Sequence, residues 1–332
     1  MKVIIPVAGI GSRLRPHTHT QPKALVPVAG KPILAHIIDN LLQAGILDFI
    51  FITGYMSNKV EEFVKENYAY ISKKFILQEP REGTGHAVWL ARHCINEQDE
   101  ILIALGDTIF DIDLKDVISK KNSAVGIKKV DDPRHFGVAE LNEDATIHSL
   151  AEKPMIPKSN LALVGLYKVK EAHLLMKCLD ELIEGNIRNE NEFQLTDGLM
   201  MLLNKGVKID TFRVDNWYDC HGKESLIDTN TILLNKLSHQ LPMVDEKNNT
   251  IIIPPVIVGK ECVISNSIIG PHVSIGDRTH IQHSIIKESI IGSYSEIQNA
   301  VLHKTVIGSD ASLHGLSQSL NLGDSTEIDF SI

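Results

Sequence analysis

Between Val258 and Leu313 an aliphatic side chain recurs at every fifth or sixth residue: Val258, Ile264, Ile269, Ile275, Ile281, Ile286, Ile291, Ile297, Leu302, Ile307 and Leu313. Gly, Asn, Ser and Asp fill the intervals. Three such gaps close one three-sided coil, of 17 residues from Val258 to Ile275 and 16 each to Ile291 and Ile307. Hexapeptide-like spacing of this kind marks a β-helix, in which each coil buries its apolar position against the next. About three to four coils fit, and the more polar stretch from Gly315 to Ile332 reads as a cap.

The preceding residues follow another rule. Val3 to Ala8 is an apolar, β-branched run of the length of a buried strand, and it stops at Gly9-Ile10-Gly11-Ser12. Glycines there let backbone N–H groups approach a ligand closely. Arg13, Arg15 and Lys23 follow, and Pro16 and Pro22 rule out a helix through the loop. Amides beside three cations suit a polyphosphate. Further on, apolar runs alternate with amphipathic stretches: a helix after Pro32 ending at Gly45, a strand at Phe49–Gly54, a helix near Asn58–Asn67, and a strand at Lys74–Gln78. That alternation predicts an α/β domain with a mostly parallel, covered sheet and a site at the carboxyl ends of its strands. The expected domains are 1–240 and 241–332.

The loop fits neither familiar phosphate motif. G-x-G-x-x-G would need Gly where Leu14 stands, and G-x-x-x-x-G-K-[ST] is absent. The string A-G-x-G-S-R-L-R-P, followed by K-A-L-V-P-V-A-G-K-P, instead resembles the opening of the sugar-1-phosphate nucleotidylyltransferases. Later segments resemble the same family: Gln78 through Gly83-Thr84-Gly85-His86-Ala87, Leu105-Gly106-Asp107, Phe136-Gly137-Val138, Glu152-Lys153-Pro154, Val164-Gly165-Leu166-Tyr167, Glu192 before Leu195-Thr196-Asp197, and Trp217-Tyr218-Asp219. The resemblance implies a Rossmann-like nucleotidyltransferase domain and a left-handed form for the β-helix. It implies transfer of a nucleotidyl group to a sugar 1-phosphate with loss of pyrophosphate. V-G-L-Y and G-T-G-H lean towards dTTP or UTP with glucose 1-phosphate, as in glucose-1-phosphate thymidylyltransferases. GTP with mannose 1-phosphate stays open, as does a non-catalytic regulatory relative.

Carried over residue by residue, the family assigns Ala8, Gly9, Gly11, Ser12, Arg13, Gln78, Gly83 and Thr84 to the nucleotide. It assigns Leu105, Gly137, Glu152, Lys153, Val164, Tyr167 and Glu192 to the sugar phosphate. Asp107 and Asp219 would hold Mg²⁺, and Arg13, Lys23 and Asp107 would carry the chemistry. Where the family has Gly after the second aspartate this chain has His221, so Gly222 is expected to take the turn.

A formal net charge of −9 excludes nucleic acid as an obvious partner, and no apolar run reaches the ~18 residues of a membrane span. Four scattered cysteines without a C-x-x-C pair, and an N-terminus without a basic leader, predict a cytoplasmic protein. The expected partners are the two substrates and further copies of the chain, with the β-helix as the candidate contact between copies. His272, His280, His283, His303 and His314 raise acyl transfer as a second activity. Their mostly outward or turn positions and the short helix argue against it.

Overall fold

The computed structural model describes residues 1–238 and 248–315. The chain divides into two compact units, Met1–Thr229 and Asn230–Ile332. The boundary expected at residue 240 and the polar end beyond residue 315 lie outside the described residues.

The first unit opens with β1 (Lys2–Val7), whose apolar run is buried because the strand lies in mid-sheet with neighbours on both edges. The loop that follows holds three single 3-10 turns, Ser12–Leu14, His17–His19 and Lys23–Leu25, preceded by Gly11, Pro16 and Pro22. The prolines thus bar a continuous helix without barring these turns. A small hairpin, β2 (Pro27–Val28) and β3 (Lys31–Pro32), leads into α1 (Ile33–Gln43). Then come β4 (Asp48–Thr53), α2 (Ser57–Asn67), β5 (Ser72–Leu77) and α3 (Thr84–Leu90). After β6 (Ile101–Ala104) the chain passes through Asp107 into β7 (Thr108–Asp111), α4 (Leu114–Ser119) and β8 (Ser123–Lys129). The rest is β9 (Gly137–Leu141), β10 (Ile147–Glu152), β11 (Leu161–Val169), α5 (Ala172–Glu184) and α6 (Leu195–Asn204). Last are β12 (Ile209–Arg213), β13 (Asn216–Asp219) and α7 (Lys223–Leu237), of which the residues from Asn230 on belong to the second unit.

Among the described residues nine strands form one sheet, in the order β10-β9-β11-β6-β1-β4-β5, with β8 also on β11 and β12 on β8. The stretch β5-β4-β1-β6 is parallel, and β11 then runs against β6, β8 and β9. The architecture is thus the expected Rossmann-like one with a mixed sheet. Loops leaving the carboxyl ends of β1 and β6 emerge side by side, where such sheets place ligands.

In the second unit short strands pair in parallel with strands one coil further on. Ile268 sits beside Ile251 and Ile285, and Ile281 beside Ile264 and Ile297. Three such ladders make the sides of the left-handed β-helix. All eleven positions named from the spacing belong to its apolar core, those in the end coils being partly exposed. The corners are turned by residues at positive φ, among them Asn266, His283 and Asn299. His272 is one of these corner residues, and its Nε2 lies 2.9 Å from Asn235 Oδ1 of α7. Buried Asn230 accepts from Ser274 Oγ at 2.7 Å and donates to the His272 carbonyl at 3.2 Å. His272 therefore has a structural role. His280, His283, His303 and His314 are exposed.

Candidate active site

Two hollows of the first unit share part of their walls. Pro6, Val7, Ala8, Gly9, Lys23, Gln78, Arg81, Gly83, Thr84 and Ala87 line the first. Gly137, Glu152, Lys153, Val164, Gly165, Tyr167, Gln194, Thr196, Trp217 and His221 line the second. Thr84, Leu105, Asp107 and Glu192 face both.

Asp107 is fixed by its backbone. As the chain leaves β6, Leu105 N–H donates to Gly165 O at 2.8 Å and Gly106 N–H to Pro6 O at 3.2 Å. Cys220 N–H donates to Asp107 O at 3.2 Å. Antiparallel pairing of β7 with β13 sets Asp219 opposite Thr108, so Asp219 stands beside Asp107 although 112 positions separate them. Lys23 Nζ lies 2.9 Å from Asp107 Oδ2. Burial by itself would raise Asp107, but Lys23 and His221 outweigh it and hold the carboxyl at about 2. The side chain is ionised at neutral pH.

His221 lies between the two aspartates, Nε2 at 3.2 Å from Asp107 Oδ2 and Nδ1 against Asp219 Oδ1. That second contact forms no proper hydrogen bond, so a buried Asp219 oxygen lacks one. Neither His221 nor Gly222 has a positive φ. The chain bends at His221 and Gly222 before α7, whose first turn begins with Leu226 N–H donating to Gly222 O at 3.0 Å, and because the bend needs no positive φ histidine fits this backbone without strain. Burial lowers the His221 pKa, with Lys23, Arg13 and Lys153 lowering it further and Asp107 opposing them. Two carboxylates are donors of the kind a hard divalent cation takes, commonly one or two with phosphate and water completing the shell, but the His221 ring stands between them, so it would have to give way for both to hold one ion. Among the described residues no set of three His, Cys, Asp or Glu side chains converges on a metal position.

In the first hollow, Ala8 and Gly9 leave β1 with open backbone, and Gly11 holds the loop folded. Its φ of +70° suits glycine, and a Cβ there would stand 2.8 Å from Lys23 Cβ. Leu14 N–H and Thr18 Oγ1 both donate to its carbonyl at 2.9 Å. Gly11, Ser12 and Arg13 line neither hollow, so the structure does not bring these three expected residues into the cavity wall. Gln78 is buried at the end of β5, where Nε2 donates to Gly83 O at 2.9 Å. Reciprocal backbone bonds, Gly85 N–H to Phe193 O at 2.7 Å and Phe193 N–H to Glu82 O at 2.8 Å, tie this segment to the approach to α6.

That tie also positions the second hollow. Gln194 Nε2 donates to Glu192 Oε2 at 3.2 Å, and Thr196 Oγ1 to Glu152 Oε2 at 2.6 Å. Burial raises Glu152 above the ordinary carboxylate range, against the Thr196 hydrogen bond. Lys153, at φ +37°, pairs at the rim with Glu190 at 3.1 Å. An exposed pair of this kind is worth about 0–1 kcal/mol, so an incoming anion can replace the glutamate. Tyr167 is raised by burial, and Trp217 stacks edge-on with Phe136 at 5.0 Å. Every residue expected at the sugar phosphate lines this hollow. Gln194 and Thr196 were missed, and the only signal pointing to them was their place in the segment that begins at Glu192.

The profile of the nucleotidyl transferase family matches residues 2–236. A bifunctional protein GlmU of Methanocaldococcus jannaschii is 37% identical over 254 residues, 75% of this chain and 58% of that protein. This chain therefore spans little more than half the length of that relative. A glucose-1-phosphate thymidylyltransferase of Streptomyces antibioticus is 31% identical over 316 residues, 88% of this chain and 87% of the relative. The crystal structure of a putative glucose-1-phosphate thymidylyltransferase from Bacillus anthracis, in complex with a sucrose, superposes with a TM-score of 0.61 at 28% identity, covering 74% of this chain and 98% of that one. With its paired hollows, its β-helix and these likenesses, the chain belongs to the nucleotidyl transferase family.

Proposed function

We propose that the protein transfers the nucleotidyl group of dTTP or UTP to glucose 1-phosphate, releasing pyrophosphate and a nucleoside-diphosphate sugar. The observation that carries this reading is that two hollows share Asp107 in their walls, one ending at Gln78 and the other walled by Glu152, Tyr167 and Glu192. In the first, Gln78 spends an amide hydrogen on Gly83 O, and its oxygen has no partner among the described residues. That oxygen accepts from a base with a ring N–H, as thymine and uracil have. Guanine also carries one, so GTP with mannose 1-phosphate is the competing substrate pair.

The attacking group is the sugar phosphate, already mostly ionised at pH 7 since its second pKa is near ~6. No general base is needed. The barrier is repulsion between two polyanions, about 4 kcal/mol for each pair of unit charges ~4 Å apart at an effective dielectric of ~20. Catalysis is then alignment with charge neutralisation. Lys153 leaves Glu190 to hold the attacking phosphate, and Glu152 and Glu192 accept from sugar hydroxyls. Lys23 holds the α-phosphate side and the amide of Gly9 faces the departing pyrophosphate, with Arg13 in the same loop but outside the wall of the hollow. Asp107 and Asp219 would hold Mg²⁺, which supplies positive charge to the phosphate oxygens. Further copies of the chain, meeting through the β-helix, belong to the same reading, as does a reducing cytoplasmic setting, which suits four free thiols. Among the described residues no helix is long and apolar enough to cross a membrane.

The test is pyrophosphate release across a grid of four nucleoside triphosphates and several sugar 1-phosphates. Fastest release with dTTP or UTP and glucose 1-phosphate is expected. No release with any pair would leave a binding protein rather than an enzyme.

A further inference from the structure

His86 sits on α3, eight residues beyond Gln78, and takes no part in the transfer chemistry. It is buried, and its Nδ1 lies 3.4 Å from Gln78 Nε2. An amide nitrogen carries two hydrogens and accepts nothing. One of the Gln78 hydrogens goes to Gly83 O at 2.9 Å, which fixes which end of the amide is nitrogen. The other faces His86 Nδ1, which can receive it only as an unprotonated nitrogen.

The surroundings keep the ring in that state. Burial is the largest influence and lowers its pKa from 6.5. Arg188 and Arg92 act in the same direction, while Glu82 and the Pro80 carbonyl oppose. Glu82 Oε2 is 3.9 Å from Nδ1, but its other oxygen is held by Arg188 at 2.6 Å, which blunts its pull. Trp89 and Phe193 close the remaining sides, with ring centres at 5.7 and 6.5 Å.

We propose that His86 is a positioning residue for base selection, holding the Gln78 amide with its oxygen turned to the nucleotide hollow. The inference rests on the placement of the base against Gln78 made above. With both amide hydrogens engaged, the site offers an acceptor alone. It takes bases with a ring N–H donor, the imide of thymine or uracil or the lactam of guanine. It rejects cytosine and adenine, whose corresponding ring nitrogen is itself an acceptor. Without an acceptor at position 86, or with Nδ1 protonated, only the Gly83 carbonyl still holds the amide, so it turns its NH₂ towards the hollow more readily and the distinction weakens.

The experiment compares kcat/KM for the favoured nucleotide with kcat/KM for dCTP in the wild type, His86→Leu and His86→Gln. The ratio cancels everything the two nucleotides share. In His86→Leu it should fall about tenfold or more, as expected when a buried polar contact stops discriminating, with the loss in KM rather than kcat. His86→Gln, which can offer an amide oxygen, should keep most of the ratio. An unchanged ratio in His86→Leu, or a wild type that prefers dCTP, overturns the proposal. Should His86→Leu fail to fold, the wild-type ratio decides: it should decline as pH falls below the ordinary imidazole value of about 6.5, and a flat ratio overturns the role. A wild type that transfers from none of the four nucleotides defeats the functional reading instead. Good use of dTTP with an unmoved ratio removes His86 alone.

Discussion

Replacing Gly106 by alanine should separate the two strands that hold the site together. A methyl placed there would stand 2.3 Å from Val7 Cγ1 and 2.6 Å from Pro6 O, where ordinary contact begins at 3.4 Å. The valine methyl can rotate away. The Pro6 carbonyl cannot, because it belongs to β1, held in register by β4 and β6 on either side. Restoring ordinary contact therefore needs a shift of about 0.8 Å, taken up by the segment Leu105–Asp107. That shift stretches the Gly106 N–H to Pro6 O bond, now 3.2 Å, and moves Asp107 relative to Lys23, now 2.9 Å away. Overpacking of this kind costs about 1–3 kcal/mol. For a unit of this size each kcal/mol lowers the melting point by about 2–4 °C. A displacement near 1 Å at a reacting centre costs about a hundredfold in rate. Circular-dichroism melting and pyrophosphate release measure the two effects separately. Gly222→Ala is the control, since nothing lies within 4 Å of a Cβ there and its φ is not positive. Turnover of Gly106→Ala within about threefold of wild type, at an unchanged melting point, would refute the reasoning.

Lys23→Ala should lower kcat by about a hundredfold or more while the nucleotide KM moves little, because the charge matters most as the transition state gains charge. A change in KM alone would make Lys23 a uniform binding contact. His36 of α1 accounts for a pH dependence of stability. Burial, aided by Lys31, holds its pKa at about 4 against the Val28 hydrogen bond and Asp39. The folded state thus binds fewer protons than the unfolded chain. Its contribution is complete above pH 6.5 and is lost as pH falls through that value towards about 4. The loss comes to about 3–4 kcal/mol below the folded value, at about 1.4 kcal/mol for each pH unit between the two. Denaturant unfolding at pH 7 and near pH 4.5 should show wild type losing more stability than His36→Asn, and parallel losses would sink this account.

Much of this protein was legible from residue order, because the patterns concerned are local. The five-to-six-residue recurrence of Ile, Val and Leu named the core of the β-helix, since one coil repeats the chemistry of the last. α1 begins after Pro32 and stops short of Gly45 as those residues predict, and the segments about Gln78, Glu152 and Glu192 all reached the two hollows. Other expectations depended on contacts that spacing does not encode. The three 3-10 turns between Gly11 and Val26 form where prolines exclude only a longer helix. The polarity of the Gln78 amide is set by a carbonyl five residues on and a ring eight residues on, yet only the folded strand-to-helix turn brings both to it. The placing of His221 between Asp107 and Asp219, and of Lys23 on Asp107, comes from pairing β7 with β13 beside the end of β1. Periodicity and turn chemistry act over a few residues and survive in a linear reading. The meeting of charges at a site is decided by which distant strands pair, and that depends on the burial of the whole sheet.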